Sequence, residues 1–439
     1  MMRYYYGAVV VTSSLLVDNL ASAVPVEKRA ILLPSLQIPN HDGVAFKIHQ
    51  VPNKNFEVAP RGRGAMALAK AYYKYGADVP ADLQSYVEQI LKEFAIAENP
   101  DGKDDGAKVP QGQVAATPKK FDSEYLCPVQ IGIPPQTLNL DFDTGSSDLW
   151  VFSSETPPGQ VGGQAIFNIG QSSTAKLLSG ESWNIRYGDG STSSGQVYSD
   201  TVTIGGITVE NQAVESATDV SLSFTQRTGT DGFVGLAFSV LNTVKPTKQP
   251  TFFANAVKAL ATPLFTANLK PSQPGTYNFG FIDPTEFTGA ITYVPVNAGA
   301  GLWEFTIEGF IVGSSPTIDT RHQAIADTGT TLLLVPDSIA AAYYAQVAGA
   351  VKEPAAGGYV FPCSQSLPSY TAMIGSYQAT IPGDLINFAP VDATMCFGGI
   401  QTLPPGFNFA IYGDIFLKSQ FVVFHGGNEP QLGFATKPL

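Results

Sequence analysis

Two carboxylates in matching surroundings are the residues of this chain best placed to do chemistry. Asp143 lies in Leu140-Asp141-Phe142-Asp143-Thr144-Gly145-Ser146-Ser147-Asp148-Leu149-Trp150. Asp327 lies in Ala324-Ile325-Ala326-Asp327-Thr328-Gly329-Thr330-Thr331-Leu332-Leu333-Leu334. Each copy is an apolar run, then Asp-Thr-Gly, two small hydroxyl residues and more apolar sequence. A lone Asp-Thr-Gly is ordinary capped-turn chemistry. Two copies in one chain imply a duplicated lobe that sets two carboxylates face to face. Such a pair does not ionise twice with ease, so it shares one proton over an acidic range. The ionised member can take a proton from water while the protonated member polarises a carbonyl or protonates a leaving nitrogen. That is amide hydrolysis with no covalent adduct.

The flanking residues suit this use. Gly145 and Gly329 are expected to let the backbone turn tightly and to aim amides at the carboxylates. Ser146 and Thr330 can hydrogen-bond the outer carboxylate oxygens, and Thr144 and Thr328 can reach across to the opposite loop. The repeat extends further: Phe233-Val234-Gly235 follows the first loop and Ile411-Tyr412-Gly413 the second, at comparable spacing.

The elements that must position these loops read as β-rich. Of 439 residues, 44% are hydrophobic and 14% charged, with 43 Gly, 32 Pro, 27 Phe and 18 Tyr. Short β-type runs alternate with turns from Tyr125 onward, as at Val129–Gly132, Asp200–Gly206 and Phe421–Phe424. Short helices are expected at Thr251–Leu260, Pro336–Ala348 and Asp414–Lys418. The net charge of −12 lies wholly beyond residue 108, where 13 Lys+Arg face 25 Asp+Glu. An acidic body argues against nucleic acid and anionic membranes as partners.

The first 108 residues differ, with 12 charges of each sign. Residues 1–23 read as a secretory signal: Arg3, an apolar stretch from Tyr4 to Val17, and Ala21-Ser22-Ala23 as the cleavage site. Lys28-Arg29 is a dibasic pair, with processing expected after Arg29. Gly64–Tyr75 is Ala-rich and helix-prone, and Leu83, Tyr86, Val87, Ile90, Leu91 and Phe94 repeat at helical spacing. Asn99–Gly106 is a polar breaker. A basic helical segment ahead of an acidic body predicts a prosegment that docks electrostatically; an independent helical domain is the alternative. Cys363 and Cys396 enclose about 34 residues and are the expected disulfide, at ~3–4 kcal/mol, although sequence leaves the pairing open. Cys127 is expected to be a buried free thiol.

Asp143-Thr144-Gly145-Ser146-Ser147, Asp327-Thr328-Gly329-Thr330-Thr331 and Tyr187-Gly188-Asp189-Gly190-Ser191 together resemble the pepsin-like aspartic proteases, in particular secreted fungal members of the penicillopepsin and aspergillopepsin type. The resemblance covers residues 109–439, with further matches at Asp231–Phe238, Gly280–Asp283 and Gly413–Gln420. The proton-sharing energetics assigned to the dyad are general to that family. The resemblance implies a mainly β, bilobal fold: two lobes of six-stranded sheet around a cleft closed by a flap hairpin. It implies a signal peptide at 1–23, a propeptide at 24–108 and lobes at 109–285 and 286–439. Tyr187 would be the flap tyrosine beside Trp150; taken alone, Tyr187–Ser191 is a hairpin tip. Asp189 and Ser191 match the positions that let such enzymes accept Lys before the scissile bond, with Tyr187, Phe224 and Phe233 as apolar walls. Val109 matches the mature start, directly after Lys108. Lys74-Tyr75 resembles the inhibitory pair of the family's propeptides; the alternative for Lys74 is a solvated helix end.

These features lead to an expectation of a secreted, extracellular, monomeric endopeptidase made as a zymogen, sensitive to pepstatin-type inhibitors, with no cofactor, metal or membrane anchor. Four His, with no His-Glu-x-x-His or Cys-x-x-Cys, offer no metal set. No Gly-x-Ser-x-Gly elbow is present. The rival reading is a pepsin-like binding or inhibitor protein that has lost catalysis; intact Asp143, Asp327, Thr144, Thr328 and Tyr187 weigh against it.

Overall fold

The computed structural model describes residues 45–49, 62–97, 125–186, 192–225 and 229–439. The expected signal, Lys28-Arg29, the Asn99–Gly106 breaker, the Lys108–Val109 junction and the flap tip Tyr187–Ser191 lie outside them. His41–Leu439 form one compact unit. No helix among the described residues is long and apolar enough to cross a membrane.

The fold is mainly β, and its duplication is visible in strand pairing. In the first half, the strand Gln136–Asp143 pairs in parallel with Gly232–Gly235, Asp143 opposite Gly235. The strand after the loop, Leu149–Val151, pairs antiparallel with that same segment. In the second half, His322–Ala326 pairs in parallel with Phe409–Tyr412, and Leu333–Val335 pairs antiparallel with it. Each Asp-Thr-Gly loop is therefore threaded by the apolar-Gly segment that the repeat had marked.

The sheets differ in size from the two six-stranded lobes expected. The first half carries one seven-stranded sheet, and the second half is divided into five-, four- and three-stranded sheets. The six-stranded sheet is shared: Leu264–Lys270, Gln273–Phe279, Thr288–Pro295, Gln420–His425 and Gln431–Thr436 come from both halves, with Phe46–His49 at one edge. Strong twist is the physical reason a large sheet divides. The short helices fall where expected but end sooner, at Phe252–Ala256, Asp337–Tyr344 and Asp414–Leu417.

The N-terminal helices and strand pack on this body. Helix α1 (Arg63–Lys74) buries Ala65, Leu68, Ala69, Ala71 and Tyr72, the stripe expected of an amphipathic helix. Gly64 lies against the Phe397 ring, so close that a Cβ there would overlap it. Helix α2 (Ala81–Ala97) sets Leu83 against Gly357. The strand Phe46–His49, which helical patterning did not anticipate, pairs with Gln273–Phe279; Phe46 stacks on Phe279 at 5.0 Å, and Lys47 pairs with Asp283 at 2.5 Å and Glu286 at 3.0 Å.

Cys363 and Cys396 form a disulfide with 33 residues of separation, and Cys127 is free and buried. Removing the bridge by Cys363→Ser with Cys396→Ser is expected to lower unfolding free energy by ~3–4 kcal/mol. Denaturant unfolding with and without the bridge measures this; an unchanged midpoint would mean that the bridge does not constrain the unfolded chain.

Candidate active site

Both aspartates sit at the ends of apolar strands and are almost wholly buried: Asp143 is 1% exposed and Asp327 0%. Their loops satisfy them locally. Gly145 N–H donates to Asp143 Oδ1 at 2.8 Å and Ser146 Oγ–H to Asp143 Oδ2 at 2.6 Å. In the second loop, Gly329 N–H donates to Asp327 Oδ1 at 3.0 Å, and Thr330 Oγ1–H donates to Asp327 Oδ2. Carboxylates held this way keep one orientation.

The two loops lock to each other through their threonines. Thr144 N–H donates to Thr328 Oγ1 at 3.0 Å, and Thr328 N–H donates to Thr144 Oγ1 at 2.9 Å. Each hydroxyl then donates onward across the repeat, Thr144 to the Ala326 carbonyl at 2.9 Å and Thr328 to the Phe142 carbonyl at 2.6 Å. Both threonine N–H groups and both hydroxyls of the crossing are paired, as buried polar groups must be.

The glycines have a reason different from the tight turn expected. Neither Gly145 nor Gly329 has a positive φ. A Cβ on Gly145 would stand 2.5 Å from Asp327 Oδ1, and one on Gly329 would stand 2.3 Å from Asp143 Oδ1. Glycine is required because each loop passes directly against the other loop's carboxylate.

Lys74, at the C-terminal end of α1, lies between the aspartates. Its Nζ is 2.8 Å from Asp143 Oδ1 and 2.8 Å from Asp327 Oδ1, with its side chain 4% exposed. One ammonium bonds both carboxylates, so those two oxygens are no farther apart than twice that distance. Tyr75 donates its hydroxyl to Asp327 Oδ2 at 2.6 Å, and its ring meets Phe407 and Phe409 edge-on. Burial opposes charge on Asp327, but the Lys74 ammonium and the donors around it bring its carboxyl down to about 2. Burial likewise opposes charge on Lys74, and the two aspartates override it and raise its pKa.

Of the other residues singled out by sequence, Trp150, Phe224 and Phe233 form one buried aromatic cluster. Trp150 stacks on Phe233 at 5.4 Å and meets Phe224 edge-on at 5.1 Å. Tyr187, Gly188, Asp189 and Ser191 lie outside the described residues, as do Arg29 and Lys108. Sequence reasoning passed over Phe407 and Phe409, whose alternation in Phe407-Asn408-Phe409 was the available signal of a strand face. It also passed over the second carboxyl pair, Asp148 and Glu215.

Known proteins resemble this chain in sequence and fold. The model of the family described as "Eukaryotic aspartyl protease" matches residues 124–437. Endothiapepsin of Cryphonectria parasitica is 49% identical over 413 residues, covering 93% of this chain and 94% of that protein. Penicillopepsin-3 of Penicillium janthinellum is 48% identical over 371 residues, 84% of this chain and 87% of that protein. Aspergillopepsin-1 of Aspergillus fumigatus is 52% identical over 333 residues, 75% and 83%. The solved structure of an aspartic proteinase from Irpex lacteus superposes with a TM-score of 0.60 at 26% identity, over 72% of this chain and 94% of that one. With matches of this extent, the chain belongs to the eukaryotic aspartyl protease family, among the fungal pepsin-like enzymes.

Proposed function

We propose that this endopeptidase cleaves peptide bonds at acid pH through a water held by the Asp143/Asp327 dyad, and that the chain is a zymogen silenced by its own prosegment. The observation that carries the reading is the single Lys74 ammonium bonded to both carboxylates in a site sealed from solvent. Groups that one ammonium can span are also close enough to share a water and a proton. With Lys74 gone, the dyad holds one proton between its members. The ionised member deprotonates the water as it attacks the peptide carbonyl, and the protonated member hydrogen-bonds the developing oxyanion. The proton taken from water then goes to the leaving nitrogen. Pepstatin-sensitive cleavage of haemoglobin at about pH 3.5, absent from the Asp327→Asn form, tests this against the reading of a non-catalytic binding protein.

Substrates are proteins and peptides, with apolar side chains favoured by the Trp150, Phe224 and Phe233 cluster and Lys accepted before the scissile bond through Asp189. Acceptance of Lys would let the enzyme cut after Lys108 during its own activation, with an earlier cut after Arg29 by a processing protease. N-terminal sequencing of the acid-activated full-length chain is expected to read from Val109; a start well away from residue 109 would refute the self-processing route. The domain order is a signal peptide at 1–23, a propeptide at 24–108 and catalytic lobes at 109–285 and 286–439. The product is a secreted, extracellular monomer, with the propeptide as its intramolecular inhibitor.

A further inference from the structure

Behind the Asp143 loop lies a second pair of acids to which the peptidase mechanism assigns no part. Asp148 closes the loop and Glu215 sits on the neighbouring strand Ile207–Val220, opposite Trp150 in register. Each is 1% exposed. One side-chain amide, that of Asn242, bonds both carboxyl groups, so the two oxygens it holds are no farther apart than those two bonds laid end to end. Asn242 joins them: its Nδ2–H₂ donates to Asp148 Oδ1 at 3.2 Å, to Glu215 Oε1 at 2.9 Å and to the Ser147 carbonyl at 3.1 Å. Thr243 adds its N–H and its hydroxyl to Asp148 Oδ1, both at 2.8 Å. Glu215 Oε2 has no hydrogen-bond partner among the described residues.

Two facing carboxyls that share one amide need a proton between them, because two buried negative charges at that distance repel and only one proton supplies the missing donor. Neither acid has an ion-pair partner among the described residues. Asp143, from the catalytic loop, is a further negative neighbour of Asp148. The cations of the segment that packs over the pair, Lys245 and Lys248, are exposed. Glu155 bonds Ser216, the next strand position, which points to the opposite face. Burial, with the partner acid, holds Glu215 in its protonated form well above the ordinary glutamate range.

The pair is coupled to the catalytic loop through the backbone. Gly235 N–H donates to the Asp148 carbonyl at 2.9 Å, Leu236 N–H to the Asp143 carbonyl at 2.7 Å and Ala237 N–H to the Ser146 carbonyl at 2.9 Å. A Cβ on Gly235 would stand 2.5 Å from Asp148 N and from Ser147 Cα. The loop thus rests between the threading strand on one side and the Asp148–Asn242–Glu215 network on the other, and a shift in the network moves Ser147 and the residues that orient Asp143.

We propose that Asp148 and Glu215 are positioning residues: a second proton-sharing carboxyl pair that braces the Asp143 loop while one proton is held and lets it go when that proton is lost. An acid whose proton is held more tightly in the folded state contributes nothing against folding at low pH. It weakens the fold as pH rises from the ordinary glutamate range through the elevated value. The brace therefore favours acid and sets an upper pH limit on the active enzyme, separate from titration of the dyad.

The inference rests on Asp143 being catalytic, and the test separates the two. Full-length chain is acid-activated, held at pH 7 for increasing times, and assayed after return to pH 4, so that reversible titration of the dyad is not read. Glu215→Gln, which keeps the shape and the Asn242 contact but cannot ionise, is expected to lengthen the half-life at pH 7 about tenfold, the factor carried by one pH unit of a carboxyl's titration. The half-life at pH 4 is expected to stay as it was. Equal half-lives at pH 7 overturn the brace, as does an equal lengthening at both pH values, which marks a merely structural effect. Absence of pepstatin-sensitive activity in the parent would instead overturn the dyad reading. If Glu215→Gln does not fold, carboxyl-¹³C glutamate labelling of the unaltered chain decides: one glutamate resonance is expected in the protonated position at pH 6.5, and its absence overturns the proposal.

Discussion

Asp327→Asn is expected to lower kcat/KM on a fluorogenic peptide at about pH 3.5 by ~10⁴-fold or more, with the fold intact, as when one member of a catalytic unit is removed. Asparagine can keep the contacts to the Gly329 amide and Thr330 hydroxyl, so geometry changes little. The threonine crossing between the loops involves no carboxylate and survives. What is lost is the ability to exchange a proton with water and with its partner. Asp143→Asn should be as damaging, and the double variant little worse than either, because the two act as one unit. Since self-activation would be lost as well, the variant must be activated by added wild-type enzyme that is then removed. Pepstatin-sensitive turnover within a hundredfold of the parent would rule out the dyad.

Lys74→Ala is expected to unmask the enzyme at neutral pH. Removing one partner of a buried ion pair costs about 3–5 kcal/mol, because charge is left without compensation. Here the dyad can recover part of that by binding a proton, so the lower end applies, about 3 kcal/mol or a hundredfold shift toward the undocked prosegment. At pH 6.5 the altered proenzyme should bind a dyad-directed inhibitor and process itself, while the parent does neither. Lys74→Arg should stay largely silent, since it keeps the charge. A Lys74→Ala proenzyme that is inactive and stable at neutral pH would remove the lysine from the mechanism.

The same contact gives the direction of acid activation. With Lys74 in place, Asp327 keeps its charge down to about pH 2. Once the segment leaves, the facing carboxylates repel and the dyad takes up a proton at higher pH. A carboxyl depressed in the docked state favours docking above its undocked pKa, and that contribution is lost as pH falls toward 2, at up to 1.4 kcal/mol per pH unit. The raised Lys74 contributes at every pH below the ordinary lysine range, so acid leaves its term unchanged. On the proposed zymogen reading, release is expected to follow protonation of the carboxylates and not of the lysines. Lys47, paired with Asp283 and Glu286, adds a second contact of the same sense at the sheet edge, where Asp283 is likewise held at about 2 by Lys47 and Thr285.

The sequence by itself determined the two Asp-Thr-Gly loops, the duplication and the two N-terminal helices, and it left the cysteine pairing open. Each rests on local rules that hold before the chain folds. The Gly145 and Ser146 donors to Asp143 are two and three residues away. α1 follows from helix-forming residues in helical period, and the β-rich body follows from short runs between turn residues. Packing decided the rest. The four-residue strand Phe46–His49 has too little pattern to declare itself and exists because Gln273–Phe279 offers an open edge. Family resemblance places Lys74 at the dyad, but its local sequence fits a solvated helix end equally, because its partners are 69 and 253 residues away. Gly145 and Gly329 look like turn residues, and only the approach of the opposite carboxylate explains them. Asp148 and Glu215 are two of many acids until burial removes their water and one Asn242 amide joins them. Desolvation and close contact are properties of space, and residue spacing along a chain encodes neither.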